Sequence, residues 1–236
     1  MKKIVLTAAA FALTVSSVFS QNFKPKEKEI AVGIAFDSPF SSGKPFSLVN
    51  GLSGRYFYKS DLAFRGTLNL TSSSSSKTTY APDDKDVLVA VSTKNNSNYN
   101  LDLFLGAEKH FLGTDRLDPY AGADLIIGMG NTSSKISPEK EDEYFGNLST
   151  KQGNSAFGLR LVLGADFYVL PKIYVGTEFG ISYKRTSNGD ETVIDRKMVD
   201  GKASEVTTVT PGDSFGSAGS ILTDMTTAAF RIGFRF

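Results

Sequence analysis

The chain has 236 residues, with 26 basic and 25 acidic side chains, one histidine and no cysteine. A net charge of +1 gives no electrostatic footprint for nucleic acid, and the missing cysteines exclude disulfides and thiolate metal centres. The 22 glycines and 18 phenylalanines are more telling than the charge.

The N-terminus reads as a leader. Lys2 and Lys3 precede an apolar run from Ile4 to about Val18, and Val18 and Ser20 give small-residue cleavage geometry before Gln21, the pattern of a secretory signal peptide. Residues 1–20 are therefore expected to be removed, leaving one domain over 21–236. No Cys follows the cleavage position, so no lipid attachment is expected. Beyond the leader no apolar run approaches the roughly 20 residues of a membrane helix. If the chain spans a membrane, it does so as strands.

Period-two alternation predicts eight strands, near 29–37, 46–58, 61–71, 97–111, 119–130, 156–169, 173–185 and 225–236, because successive side chains of a strand face opposite sides. Between them fall a loop near 38–45, a tight turn at "KSD" (59–61), a long loop at 72–96 and a modest turn near 112–118. Then come a long loop at 131–155, a tight turn at "LPK" (170–172) and the longest loop at 186–224. Short turns at one end and long loops at the other are the connectivity of a transmembrane barrel whose turns are periplasmic. The fold class expected is all-β, an eight-stranded antiparallel up-and-down transmembrane barrel.

The two faces of these strands differ sharply. One collects Ile30, Val32, Ile34 and Phe36, then Leu48, Leu52, Tyr56 and Tyr58, and so on to the terminal "FRIGFRF" with Phe230, Ile232, Phe234 and Phe236. The other carries Arg55, Arg65, Arg160, Lys184, Arg231 and Arg235 against Asp61, Asp102, Glu108, Asp124, Asp166 and Glu178. Ten glycines share that charged face, Gly106, Gly176 and Gly233 among them. A soluble lipocalin-like barrel would put the apolar set inside, around a ligand. A water-facing surface has no use for so many glycines, which weaken strands unless crowding demands them. Aromatic residues at the ends of the apolar face, Tyr56, Tyr58, Phe111, Phe167, Tyr183 and Phe236, suit interfacial girdles. The expected arrangement is apolar side to lipid and charge to the lumen.

The signal peptide, the eight alternating strands, "PYAGADLIIGMG" at 119–130 and the terminal "AAFRIGFRF" resemble the small eight-stranded outer-membrane barrels of Gram-negative bacteria, the group of the OmpA transmembrane domain and OmpX. The resemblance covers the mature chain and implies location in the outer membrane. It also implies that a C-terminal aromatic on the alternating last strand, here Phe236 behind Phe230, Ile232 and Phe234, is read by the barrel-assembly machinery. No peptidoglycan-binding domain follows the barrel, so tethering is not implied.

Candidate chemistry is sparse. His110, the single histidine, is expected at the periplasmic end of the fourth strand as an interfacial polar residue. The serine run "TSSSSSK" at 71–77 reads as solvated loop with no base to activate it. Acidic groups at Asp83, Asp84 and Asp86, and at Glu139, Glu141, Asp142 and Glu143, read as solvated loop charge, with divalent cations among lipopolysaccharide phosphates as the alternative. No cofactor, no metal and no enzymatic activity is expected. An eight-stranded barrel encloses only room for its own side chains, and Phe57, Phe104, Tyr168 and Tyr174 point inward with the charges. The lumen is expected to be filled by a network of Arg55, Arg65, Asp102, Glu108, Asp124, Arg160, Asp166, Glu178, Lys184, Arg231 and Arg235. Function then lies in the outer loops or in lateral membrane contacts: envelope integrity, surface binding, or an accessory role in a larger complex. Expected partners are outer-membrane lipid and lipopolysaccharide, the assembly machinery, and a protein of the outer membrane or cell surface. The alternative is a narrow or gated channel for small solutes.

Overall fold

The structure is a computed structural model that describes residues 23–37, 51–82, 88–138, 147–199, 202–212 and 227–236. The leader, the first loop with Leu48, and the acidic groups at Asp83, Asp84 and Asp86 and at Glu139, Glu141, Asp142 and Glu143 lie outside the described residues.

The strands are β1 (Ile30–Asp37), β2 (Gly51–Lys59), β3 (Leu62–Pro82), β4 (Leu88–His110), β5 (Leu117–Pro138), β6 (Asn147–Leu170), β7 (Ile173–Val199), β8 (Lys202–Thr210) and β9 (Thr227–Arg235). Neighbours in sequence pair antiparallel from β1 to β7, then β7 pairs with β9 and β9 with β1, closing an eight-stranded ring. The closing seam sets Gly33 against Gly233 and Ile34 against Ile232, and the Phe236 amide donates to the Ile30 carbonyl at 2.8 Å. Closure is obligatory where hydrocarbon surrounds the wall, because an unpaired strand edge would leave its amides and carbonyls with no water to bond.

Orientation follows the burial pattern. Leu161, Leu163 and Ile181 are 65%, 64% and 60% exposed, whereas Asp166 and Glu108 are 0% and 1% exposed. Leu52, Phe64, Leu105, Leu125, Ile127, Phe157, Leu159, Phe179, Ile232 and Phe234 are also on the outside. A belt of that extent is stable only against lipid, so the wall spans a membrane with its charges inside.

Five strands are far longer than alternation indicates. β3 has 21 residues, β4 has 23, β5 has 22, β6 has 24 and β7 has 27, against the roughly 9–11 that cross a bilayer. The loops expected at 72–96, 131–155 and 186–224 are therefore largely paired backbone. The serine run is part of β3, with Ser72–Ser76 in register with 95–99 of β4. Within the longest expected loop, β8 forms a hairpin with 191–199 of β7, a ninth strand outside the ring. Alternation fails here for a physical reason. Above the belt both faces of the wall are predominantly polar, with only scattered apolar residues such as Tyr80, Val206 and Val209, so no sustained apolar period marks the strand. What holds it is backbone pairing continued upward from the barrel, together with cross-strand bonds. The Ser134 hydroxyl donates to Asn96 Oδ1 at 2.9 Å and the Thr132 hydroxyl to Asn98 Oδ1 at 3.3 Å.

The inward glycines sit beside large inward side chains on the next strand. Gly106 faces Asp124, Gly122 faces Glu108, Gly128 faces Asp102, Gly164 faces Tyr120, Gly176 faces Asp166 and Gly233 faces Tyr174. A Cβ on Gly233 would run into the Tyr174 ring, and one on Gly176 into the Asp166 carboxylate. By contrast, a Cβ on the outward Gly54 would meet nothing within 4 Å. Gly233→Ala is expected to destabilise the barrel by roughly 1–3 kcal/mol, the usual range for overpacking, while Gly54→Ala unfolds with the wild type. Urea unfolding in detergent, followed by the mobility difference between heated and unheated samples, measures both.

Candidate functional site in the barrel lumen

The lumen is filled in layers. At the turn end Phe23, Ala31, Phe57, Ala63, Tyr168 and Tyr174 form an apolar cluster. Lys28, at φ 67°, is in the left-handed region that turns the N-terminal segment back on itself. Its amide donates to the Phe57 carbonyl at 2.7 Å, and Phe23 ends up buried at 6% exposure. The Arg116 guanidinium lies 4.3 Å from the Phe23 ring centroid and that of Arg235 lies 5.1 Å from Tyr168. Arg235 also pairs with Glu29 at 3.2 Å and donates to the Pro171 carbonyl at 2.6 Å.

Above this cluster is the charged layer, and its hub is Glu178 on β7. Arg65 of β3 donates to it at 3.0 Å, Arg231 of β9 at 2.7 Å, Tyr120 of β5 at 2.9 Å, and Arg160 of β6 completes the set. Arg231 also donates to the Tyr120 hydroxyl at 2.6 Å and to Ser53 Oγ at 3.4 Å. One carboxylate thus ties four other strands together across the barrel. Arg65 reaches Glu108 at 3.0 Å and Asp124 at 3.1 Å, and Arg55 bridges Glu108 at 2.7 Å and Asp166. The Arg55 guanidinium covers the Tyr120 ring at 4.6 Å. Higher still, Lys184 pairs with Asp102 at 3.1 Å, and Arg160 lies 5.2 Å from the centroid of Phe104.

Two sequence readings need correction. His110 is not an interfacial residue: it is 4% exposed, inside the lumen. Its Nδ1 lies 2.9 Å from Asp118 Oδ2 and its Nε2 lies 3.2 Å from Glu108 Oε1, with the rings of Phe57 and Tyr120 at 5.3 and 5.5 Å. The parity of β4 aligns it with Glu108, a signal that was present in the sequence. Asp61, read as an inward charge, stands in the turn between β2 and β3 with its side chain 50% exposed, paired with Lys109. The hydrogen bond from Lys109 holds the Asp61 carboxyl below the usual carboxylate range. The remaining network residues, Arg55, Arg65, Asp102, Glu108, Asp124, Arg160, Asp166, Glu178, Lys184, Arg231 and Arg235, all line the lumen. Alternation did not single out Tyr120, Asp118 or Ser53, although each keeps the inward parity of its strand. Phe23 carried no signal, since it precedes every alternating segment. Phe230, Ile232, Phe234 and Phe236 face outward, with Phe234 and Phe236 edge to face at 4.9 Å.

Glu178→Gln leaves Arg65, Arg160 and Arg231 short of a buried counter-charge and should lower stability by about 3–5 kcal/mol. Glu205→Gln, in the exposed pair with Arg196 at 2.6 Å, should change it by about 1 kcal/mol or less. Urea midpoints in detergent compare the two directly.

The profile of the Putative OmpA-OmpF-like porin family matches residues 38–191. No curated protein matches the chain. Similar solved structures include the outer membrane protein OprG from Pseudomonas aeruginosa, at 12% identity and TM-score 0.42, with 91% of this chain and 98% of that one covered. Another is a major outer membrane protein from Thermus thermophilus, at 12% identity and TM-score 0.44, covering 88% and 98%. A third is Ail, the attachment invasion locus protein of Yersinia pestis, at 13% identity and TM-score 0.33, covering 89% and 99%.

Proposed function

Since the chain belongs to the Putative OmpA-OmpF-like porin family and is an outer-membrane protein, we propose that its barrel is a filled, non-conducting scaffold, acting through the polar wall above the membrane and through lateral contacts within it. The observation that supports this is a gradient of side-chain exposure down the lumen. Lys184 and Asp102 are 36% and 17% exposed, Arg160 is 11% exposed, and Arg55, Arg65, Glu108 and Asp166 are between 0% and 3% exposed. Exposure falls from the loop end to the guanidinium layer, which favours water reaching the first pair and no further. Below that layer the aromatic cluster and Phe23 close the turn end. A conduit needs hydrated charges along its length, whereas these charges neutralise one another.

Catalysis has no place in this reading. Both nitrogens of His110 are engaged by carboxylates, so neither is free to activate a serine. The partners that fit are outer-membrane lipid and lipopolysaccharide around the belt, and a protein ligand at the raised wall. The C-terminal strand, with Phe230, Ile232, Phe234 and Phe236 outward, is proposed as the signal for the assembly machinery, and the turns as the periplasmic end.

Planar bilayers carrying the wild-type barrel should show no steady single-channel current. Arg231→Ala should unfold at clearly lower urea, by about 3–5 kcal/mol if its charge is buried and paired. Large steady currents from the wild type, with an Arg231→Ala variant of unchanged stability, would instead identify a hydrated pore. For assembly, Phe236→Asp should reduce the inserted fraction in cells much more than Phe111→Asp, which alters an outward aromatic at the same end of the barrel. Equal yields would remove the assembly role from Phe236.

A further inference from the structure

Among the described residues the apolar belt of the outer wall carries a hollow. In register across four neighbouring pairs lie Pro119 of β5, Ala165 of β6, Thr177 of β7, Phe230 of β9 and Phe36 of β1. The row on the turn side is Leu117, Phe167, Val175 and Ile232. Ala165 and Thr177 are short, and larger side chains surround them. The result is a hollow of about 620 Å³ lined by Phe36, Leu117, Phe167, Val175, Phe230 and Ile232 around that short floor.

In hydrocarbon such a space cannot stay empty without forfeiting the contacts of every atom that lines it. A protein partner is a poor occupant. A stable protein interface buries about 800 Å² on each side, and a hollow two rows of residues high offers a fraction of that. A flexible alkyl chain fits an irregular apolar recess without such an area. A second feature stands below it. Lys172, in the turn that joins β6 to β7, is exposed and lies three residues from Val175, at the end of the wall where the strands leave the membrane. A turn at the edge of an apolar belt is where lipid headgroups run, and among the described residues no ion pair involves Lys172.

We propose that this recess holds one acyl chain of an anionic phospholipid from the leaflet at the turn end, with the headgroup phosphate at Lys172. The inference rests on the reading that the barrel acts through lateral contacts with its membrane. It assigns those contacts a preferred site rather than a uniform lipid annulus.

Native mass spectrometry of the full-length barrel in detergent, supplied with phosphatidylglycerol or phosphatidylcholine, tests it. The wild type should retain a single lipid and prefer phosphatidylglycerol. Ala165→Phe, which fills the recess, should lower retention roughly tenfold, a free-energy change of about 1.4 kcal/mol. Lys172→Gln should keep a lipid but lose the preference between headgroups. If Ala165→Phe fails to insert, Thr177→Leu fills the same space from the neighbouring strand and should give the same loss. Equal retention by wild type and filled variants overturns the site. So does a dimer mass that disappears on filling, which would assign the recess to a second copy of the chain. Both results leave the insulating-barrel reading intact, because that reading fails only on bilayer conductance.

Discussion

A guanidinium enclosed by protein and surrounded by hydrocarbon has no water to fall back on, and the interior of this barrel is arranged around that constraint. Glu178 meets it by accepting from Arg65, Arg160 and Arg231 while Tyr120 bonds it from a fifth strand. Each of those cations is long, and a narrow ring can hold them only if the residues beside their partners are small. The glycines opposite Asp124, Asp166, Glu108 and Tyr120 follow from this requirement. The bulky apolar side chains are thereby left to the outside, where lipid accepts them. Charge inside, glycine beside it and leucine outside are three aspects of one packing problem.

Much of this was legible in the sequence. Strict alternation identified all eight ring strands and assigned their faces, because a strand with lipid on one side and a crowded polar lumen on the other has maximal contrast between the two. "FRIGFRF" has that contrast in seven residues. Contrast disappears above the belt, and with it the signal: Ser72–Ser76 and their partners on β4 are strand by pairing alone. The lumen's membership was legible by parity, but its connections were not. That Glu178 rather than Asp124 would be the hub depends on stagger between strands, which no local pattern encodes. His110 was misjudged because the turn beside it suggested an interface, although its parity with Glu108 pointed inward.

The layers of the lumen also divide its tasks. The aromatic cluster with Phe23 fills the turn end with buried apolar volume. In the non-conducting barrel proposed above, the guanidinium layer is the barrier to ions, since a passing ion would have to break the pairs that Glu178 and Glu108 make with Arg65, Arg231 and Arg55. The Lys184–Asp102 pair, at the loop end, lies where water competes with it. Substitutions there should therefore be tolerated far better than those at Glu178, despite the similar chemistry of the two sites.

The pairs that fill the lumen are also remote from one another along the chain. Arg55 and Asp166 are separated by 111 residues, Arg65 and Glu178 by 113, and Arg231 and Ser53 by 178. None of these contacts can form before the later residue of the pair has been made, and for Arg231 that is nearly the whole chain. Arg231 lies on the last strand, so the network reaches neutrality only once that strand has closed against β1. High contact order of this kind makes folding slow and leaves unpaired charges and open strand edges exposed in the meantime. A chain built this way depends on being held apart from its neighbours until its final residues arrive, and its kinetic bottleneck is written into the same ion pairs that make the finished barrel secure.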